Sequence, residues 1–260
     1  MGNKKLSIVK IGGNVIENET ALLSFLDNFA QIEGAKILIH GGGKEATKLS
    51  QKLGIPTQMV EGRRITDKDT VDIITMVYGG LINKRIVSQL QARNCNALGF
   101  SGADGNTILS EKRPVVDIDY GFVGDVKQVN APFIDVLLQN GITPVFCAIT
   151  HDKKGQLLNT NADTVASEVA IAMSQFYETS LYYCFEKQGV LRSIEDENSV
   201  ITDINSATYE TLLNEKIIAD GMIPKMKNCF HALQHQVHKV CIGNPQMIQK
   251  NNTLFTTLTL

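Results

Sequence analysis

The sequence predicts an α/β protein built on a mostly parallel sheet, and three observations support this prediction. Apolar, strand-like runs are followed by glycine turns and then by segments with helical spacing. This order occurs twice near the N-terminus, around "KIGGN" and "HGGGK", and similar alternation returns in the last third. Consecutive strand–helix units favour parallel pairing, because each helix returns the chain to the same edge of the sheet.

The first elements follow from local patterns. A strand is predicted over 7–11, and a helix over 20–33 with Gly34 as its stop. A second strand is predicted over 37–40, with a helix that ends near Gly54.

The next helix and the middle of the chain give further predictions. In "TDKD", Thr66 and Asp69 match a capping box, and Gly79 and Gly80 in the long helix that follows suggest close packing. Residues 94–129 are typical of hairpins over a site, and so of a lid. Among the remaining segments, "APFIDVLLQNG" predicts a helix, "ITPVFCAIT" a strand and "HDKKGQLLN" a turn pair. "NTNADTVASEVAIAMS" and "GMIPKMKNCFHALQHQ" predict helices, and "SLYYCF", "HKVCIG" and "TLFTTLTL" predict strands.

Composition narrows the function classes. The 260 residues carry a formal net charge of -2, which gives no long-range attraction to nucleic acid or to an anionic membrane. An anionic ligand would therefore need a local site and would be a small molecule. The five cysteines include no CxxC pair, and no apolar stretch suits a signal peptide or a membrane span. We therefore expect a cytoplasmic protein.

Two glycine turns and a buried lysine suggest a phosphate site. Glycines between a strand and a helix expose backbone N–H groups at a positive helix end. Lys10, in the first predicted strand, is a cation among apolar residues, which is costly unless an anion meets it. Neither turn has Walker A or dinucleotide-binding spacing. The alternative to a phosphate site is that both turns only connect a strand to a helix.

Five motifs in register, "KIGGN", "HGGGKEATKL", "GRRIT", "LLNTNAD" and "DGMIPKMK", resemble the amino acid kinase family, and within it the N-acetylglutamate kinases. The resemblance runs through essentially the whole chain. It implies an open αβα sandwich with an acyl-glutamate-binding lobe at 1–175 that also dimerises, and an ATP-binding lobe at 176–260. It further implies a homodimer and the use of ATP and Mg²⁺, the metal being bound mainly by phosphate oxygens and water.

The resemblance also implies roles for single residues. Lys10 and Lys225 would flank the transferred phosphoryl group, and Asp163 would hold the two ammonium groups apart. Gly13 and Glu186 would join the lysines in binding ATP. The alternatives are a helix N-cap for Asp163 and a solvated helix position for Lys225.

On the acceptor side, Gly42 and Gly43 resemble the turn that binds the γ-carboxylate and the phosphoryl group. Arg64 and Asn159 resemble the pair that binds the α-carboxylate and the amide, and a guanidinium suits a carboxylate because two donors meet two oxygens. No metal site is assigned to protein side chains. His231, His235 and His238 are spaced for one helical face, but a surface or packing role is the interpretation we take.

Two departures from the family pattern carry predictions. "FEKQG" replaces a Ser/Thr-Asp-Val-x-Gly turn, so Glu186 would stand in for the aspartate. Arg63 occupies a position that is usually apolar in the family. A cation there favours an acyl group with its own carboxylate, such as succinyl, and the alternative is that Arg63 faces solvent or pairs with Glu61 or Asp67.

The function implied by the resemblance is ATP-dependent phosphorylation of the γ-carboxylate of an N-acyl-glutamate, in arginine biosynthesis. Two alternatives remain: a family member with another acceptor (aspartate, free glutamate or a nucleoside monophosphate), and a regulatory relative without turnover. Because the first predicted strand starts close to Met1, we also expect a dimer that is insensitive to arginine.

Overall fold

The computed structural model describes residues 4–60, 62–219, 222–252 and 254–260. Its strands are β1 (Lys5–Ile11), β2 (Ala35–His40), β3 (Met59–Val60), β4 (Arg63–Arg64), β5 (Ala97–Phe100), β6 (Ile108–Lys112), β7 (Gly124–Val129), β8 (Thr143–Cys147), β9 (Ile149–His151), β10 (Leu157–Asn159), β11 (Glu178–Cys184), β12 (Asp203–Ile204), β13 (Lys239–Gly243) and β14 (Thr256–Leu258). Its α-helices are α1 (Gly13–Glu17), α2 (Glu19–Ala30), α3 (Gly43–Lys52), α4 (Lys68–Ile74), α5 (Asn83–Gln91), α6 (Ala131–Gln139), α7 (Ala162–Met173), α8 (Ser206–Asn214) and α9 (Met222–Gln234). A π-helical segment (Thr75–Ile82) and short 3₁₀ turns (Asp104–Asn106 and Pro245–Ile248) complete the elements.

The chain divides into two compact units. The first unit contains the residues up to Leu38 together with Ala166–Leu260, and the second unit contains Ile39–Val165. In the first unit, β1 pairs in parallel with β11, and β11 pairs in parallel with β13. β14 runs antiparallel to its neighbour β13 and parallel to β12. The predicted α/β class with a large, mostly parallel sheet is confirmed.

The first βα unit forms largely as its pattern predicts. Ile8, Val9 and Ile11 of β1 are fully buried, because a parallel strand has helices to pack against rather than water on its faces. Asn18 caps α2, its Oδ1 accepting from the amide of Ala21 at 3.0 Å. The four apolar residues at helical spacing are the buried face of this helix: Leu22, Phe25, Leu26 and Phe29.

The predicted stop of this helix needs correction. Helix α2 ends at Ala30 with Gln31 as its C-cap, before the predicted stop. Gly34 has a φ of 81°, a left-handed conformation that suits glycine, but it lies in the connection to β2.

The second unit contains a parallel strand pair and a mixed sheet, in which β6 and β9 are parallel and the outer pairs are antiparallel. β5 pairs in parallel with β8, and a four-stranded sheet has the order β10, β9, β6, β7. The predicted turn pair is confirmed, since β9 and β10 pair antiparallel around residues 152–156. The hairpin prediction for the middle region holds for β6 and β7 but is wrong for "NALGF", which forms the parallel strand β5.

The long helical segment of the second unit begins one residue later than predicted. Asp67, not Thr66, is the N-cap of α4, its Oδ1 accepting from the amide of Thr70 at 2.8 Å. The prediction of close packing is wrong for Gly80, where a Cβ would meet no atom within 4 Å. At Gly79 a Cβ would lie in ordinary contact, 3.8 Å from Ile149 Cδ1. Both glycines lie in the π-helical segment, where the helix bonding shifts to i→i+5.

No helix in the described part of the chain combines the length and the apolar character that a membrane crossing requires.

Candidate functional site

In the first unit, the turn after β1 brings the chain close to the end of β11. Gly12 is the N-cap of α1, and a Cβ there would lie 3.3 Å from the carbonyl oxygen of Cys184. Gly13, the first residue of α1, is half-buried beside it. Lys10 points from β1 with only 8% of its surface exposed. The turn therefore presents backbone N–H groups and a buried ammonium at the carboxyl end of a parallel strand, where α/β proteins bind ligands.

Lys225 lies near the same place and comes from a different element. It is in the first turns of α9 and half-buried. Its Nζ lies 4.1 Å from the ring centroid of Phe185, and the Nζ of Lys10 lies 5.4 Å from the same centroid. One aromatic ring is thus shared by the two lysines that the sequence predicts to act together. Such a cluster of positive charge suits a polyanion.

The "FEKQG" turn follows β11 directly. Glu186 is exposed, and it lines a small cavity of about 100 Å³. The Lys187 Nζ donates to Glu197 across the mouth of this turn at 2.7 Å. The other lining residues are Gln188, Leu191 and Asn244.

In the second unit, the "HGGG" turn leads into α3. Gly42 is the N-cap of this helix and is buried against the π-helical segment. A Cβ on Gly42 would lie 2.5 Å from Ile82 Cδ1 and 2.7 Å from Tyr78 Cδ1, so no larger residue fits without movement. The N–H groups in the first turn of α3 point out of the N-terminal end of the helix, so this turn has the geometry of an anion site.

Arg64 connects this turn to the β3–β4 hairpin. It is 8% exposed, and its Nη2 donates to the carbonyl oxygen of Gly43 and to Thr47 Oγ1, both at 2.8 Å. Its Nη1 donates to Thr57 Oγ1 at 3.2 Å. Tyr78 lies beside the same turn, and burial raises the pKa of its hydroxyl to about 12, so it stays protonated.

Arg63 differs from its neighbour. It is exposed, whereas Arg64 is buried, because adjacent strand residues point to opposite faces. No ion pair to Asp67 is present among the residues described, and Glu61, the other predicted partner, lies outside them.

Asn159 and Arg64 meet through Thr66. The Nδ2 of Asn159 donates to Thr66 Oγ1 at 3.0 Å, and that hydroxyl donates to the carbonyl oxygen of Arg64 at 3.2 Å. Three of the residues that the sequence assigns to the acceptor, Gly43, Arg64 and Asn159, are therefore linked in one hydrogen-bonded cluster.

Asp163 lies in the first turn of α7, half-buried. Asn161 caps this helix, its Oδ1 accepting from the amides of Asp163 at 2.7 Å and Thr164 at 3.3 Å. The N-cap alternative for Asp163 is thereby excluded, and its carboxylate is released from a capping role.

Behind the glycine turn lies a buried polar pair that the sequence did not reveal. His40 is fully buried, its Nδ1 bonds to the carbonyl oxygen of Gly41 at 2.8 Å, and its Nε2 accepts from Asn83 at 3.1 Å. Asn83 also donates to the carbonyl oxygen of Val145 at 2.9 Å. Burial lowers the pKa of His40 to about 4, so the imidazole is neutral at pH 7.

The remaining sequence motifs give no further site. Asp220 and Gly221 of "DGMIPKMK" lie outside the described residues. The rings of His231 and His235 are 4.3 Å apart, and His231 approaches Glu168 at 3.5 Å. Within 4–60, 62–219, 222–252 and 254–260, no group of three or more His, Cys, Asp or Glu is placed to hold a metal ion.

Comparison with known proteins gives consistent results. The profile of the amino acid kinase family matches residues 5–244. Acetylglutamate kinase of Cytophaga hutchinsonii is 54% identical over 260 residues, covering 98% of each chain, and that of Bacteroides thetaiotaomicron is 50% identical over 248 residues, covering 95% of this chain and 96% of its own.

The structure agrees with these matches at the level of fold. The carbamate kinase of Giardia superposes with a TM-score of 0.69 at 12% identity, covering 100% of this chain and 99% of its own. This likeness confirms the predicted amino acid kinase fold. The chain belongs to the amino acid kinase family.

Proposed function

We propose that the protein phosphorylates the γ-carboxylate of an N-acyl-L-glutamate with ATP, giving an acyl phosphate for arginine biosynthesis. The observation that carries phosphoryl transfer is the pair Lys10 and Lys225, brought to one ring at the carboxyl ends of parallel strands. Support for the acceptor comes from the relatives at 50–54% identity, which are named acetylglutamate kinases.

The first unit offers the groups that ATP needs. Lys10 and Lys225 would neutralise charge that builds up on the transferring phosphoryl group, and the turn at Gly13 would bind phosphate oxygens through N–H groups. Glu186 is the candidate for contacts to the rest of the nucleotide.

Magnesium fits as an ion that is bound mainly by the nucleotide. Its preferred oxygen ligands would be phosphates and water, so no acidic cluster on the protein is needed. When bound, it would add positive charge at the phosphate oxygens. Asp163 remains a proposed catalytic residue that fixes the positions of the lysine ammonium groups.

The second unit offers the groups that the acceptor needs. Arg64 would grip the α-carboxylate with two donors, and Asn159 would bind the amide. Gly42 and Gly43 would bind the γ-carboxylate and the phosphoryl group at the positive end of α3. Residues 1–175 remain our proposed acceptor lobe, which also contributes Lys10 and Gly13 to ATP binding, and residues 176–260 remain our proposed ATP lobe.

The test is direct. The purified protein is given ATP, Mg²⁺ and N-acetyl-L-glutamate, ADP release is followed, and the acyl phosphate is trapped with hydroxylamine. Lys10→Ala and Lys225→Ala should each lower kcat about a hundredfold, because each removes a preorganised charge donor. Lys250→Ala, at a lysine that is 86% exposed, is the matched control and should retain parent activity. Near-normal kcat in either active-site variant would refute the assignment.

The same assay separates the alternatives. ADP release with aspartate, free glutamate or a nucleoside monophosphate, and none with an acyl-glutamate, would indicate a family member with another acceptor. Failure of every acceptor in a protein that still binds ATP would indicate a regulatory relative.

The identity of the acyl group is a finer question, and Arg63 suggests a second candidate for the substrate. Its exposed guanidinium has no carboxylate partner in the described part of the second unit, so it is available to a substrate that brings one, such as N-succinyl-L-glutamate. Arg63 and Arg64 point to opposite faces of β4, which supports the alternative that Arg63 faces solvent; a succinyl-glutamate held by both arginines would have to contact both faces of the strand. Comparing kcat/KM for both substrates in the parent, Arg63→Leu and Arg63→Lys decides the matter, and an unchanged ratio in Arg63→Leu would exclude a role for the charge.

We further propose a homodimer that forms through the second unit. Met76 and Leu81 expose 54% and 48% of their surfaces on the helical segment, and Leu98 on β5 exposes 44%. A second copy of the chain would cover these apolar side chains, as homodimer interfaces do. Sedimentation of the parent and of Leu81→Glu tests this, and a parent that sediments as a monomer would contradict it.

A cytoplasmic setting is part of the proposal. All five cysteines are free thiols and buried, as expected of a protein in a reducing compartment.

A further inference from the structure

The ring of Phe185 has a position fixed by the sheet. Lys10 lies opposite Tyr183 in the parallel β1–β11 register. Phe185 is two residues beyond Tyr183, so the two aromatic side chains project from the same face. Their rings stack with centroids 6.0 Å apart and planes 7° apart. The amide of Phe185 donates to the carbonyl oxygen of Gly243 at 2.7 Å, which fixes the backbone as well.

Two ammonium groups from separate elements converge on this ring. Lys10 reaches it from β1, and Lys225 reaches it from α9. Two cations brought near each other repel, and holding them in one region costs conformational freedom of two long side chains. The face of an aromatic ring carries negative potential, so it attracts both ammonium groups without neutralising either.

We propose that Phe185 is a positioning residue for phosphoryl transfer: its ring holds the Lys10 and Lys225 ammonium groups by cation–π contact in the arrangement that receives the phosphoryl group. This inference depends on the proposed function, because it concerns the same two lysines. The ring would add to the proposed role of Asp163. Its attraction does not neutralise either ammonium group, so it positions the lysines without reducing their charge.

The experiment varies the ring's negative potential without changing its shape. Phe185 is replaced with phenylalanine that carries one, two or three ring fluorines, by nonsense suppression in the full chain. Fluorine withdraws electron density from the ring face and leaves the packing nearly unchanged. We expect kcat to fall stepwise with each fluorine, by roughly tenfold across the series, while the thermal midpoint stays at the parent value.

Phe29 supplies the matched control. Its ring lies 5.6 Å from the Nζ of Lys36 in the same unit, but this lysine donates to the carbonyl oxygens of Ala30 and Ile32 and has no assigned role in the reaction. The same fluorine series at Phe29 should leave kcat unchanged. A stepwise fall at both positions would mean that fluorination acts through general packing, and it would overturn the proposal.

Conservative variants give a second readout. Phe185→Tyr and Phe185→Trp keep an aromatic face and should keep most of the activity, whereas Phe185→Leu should lower kcat with a smaller change in the KM for the acyl-glutamate. A fluorine series without any trend in kcat, in a parent that releases ADP, would refute the role of Phe185 and leave the proposed function intact. A parent that releases no ADP with any acceptor would refute the proposed function itself.

Discussion

Protonation of His40 tests how the glycine turn of the second unit is stabilised. The imidazole is fully buried, and this burial is the main cause that lowers its pKa from 6.5 to about 4. The hydrogen bond to the carbonyl oxygen of Gly41 acts in the opposite direction and is the smaller effect. The folded protein therefore keeps His40 neutral over a pH range in which the unfolded chain binds a proton at this residue.

The sign and size of the effect follow from linkage. Because the pKa of His40 is lower in the folded state, the stability due to its neutral form is complete above pH 6.5 and is lost as the pH falls toward 4. A shift of this size corresponds to about 3 kcal/mol of unfolding free energy in full. Between pH 7 and pH 5, the linkage relation gives a loss of about 2 kcal/mol.

The assay is denaturant unfolding at pH 7 and pH 5 for the parent, for His40→Asn and for the control His235→Asn, which removes an exposed imidazole. The parent and the control should lose about 2 kcal/mol more than His40→Asn over this interval. A His40→Asn protein with the same pH dependence as the parent would refute the reasoning. If that variant does not fold, the NMR signals of the His40 imidazole in the parent should show no titration between pH 7 and pH 5.

Three further predictions concern residues of the second unit. Gly42→Ala should destabilise the protein by roughly 1–3 kcal/mol, because its Cβ would meet Ile82 and Tyr78 at 2.5 and 2.7 Å; an unchanged thermal midpoint would contradict this packing. Asn161→Ala should cost about 1 kcal/mol and lower kcat by displacing Asp163, while Asn161→Asp keeps the acceptor and should restore both; equal values for the two variants would exclude the capping role. Arg64→Lys should raise the KM for the acyl-glutamate at least about tenfold, since lysine lacks the planar fork; an unchanged KM in initial-rate assays would remove Arg64 from the acceptor site.

The sequence predicted the elements whose signals are local. β1 and α2 were recognised from apolar spacing, and the glycine turns from their position between a strand and a helix. The family motifs assign Gly43, Arg64 and Asn159 to the acceptor; hydrogen bonds link them in the structure, and their role in binding stays a prediction. The catalytic roles of Lys10, Lys225 and Asp163 remain predictions.

The N-cap of α4 shows why local patterns can fail. Both Thr66 and Asp67 are good capping residues, and the spacing in "TDKD" does not separate them. Thr66 is instead committed to distant partners, since its amide bonds to the carbonyl oxygen of Tyr120 and its carbonyl oxygen accepts from Phe122. Contacts between residues so far apart in the chain leave no trace in the local sequence.

Phe185 and His40 were missed for a related reason. A phenylalanine after a strand has the signature of any core residue, and only the register of β11 against β1 brings its ring to Lys10. The tautomer of His40 is set by the carbonyl oxygen of Gly41 and by Asn83, which is distant in sequence, and its low pKa follows from burial, which the local sequence does not show. The sequence does hold one signal for Phe185: this aromatic residue stands where the family motif has a polar one.

The π-helical segment Thr75–Ile82 decides where this part of the chain can lose a residue. Its i→i+5 winding holds one residue more than an α-helical turn, and α5 begins directly after it with Asn83 donating to His40. Removing Gly80, which has open space around it, would let the segment wind as an α-helix and would leave the direction of Asn83 nearly unchanged. Removing one residue from α4 would instead rotate the elements that follow by about 100° and turn Asn83 away from His40. The same one-residue deletion is therefore absorbed in the π-helical segment and disruptive one turn earlier.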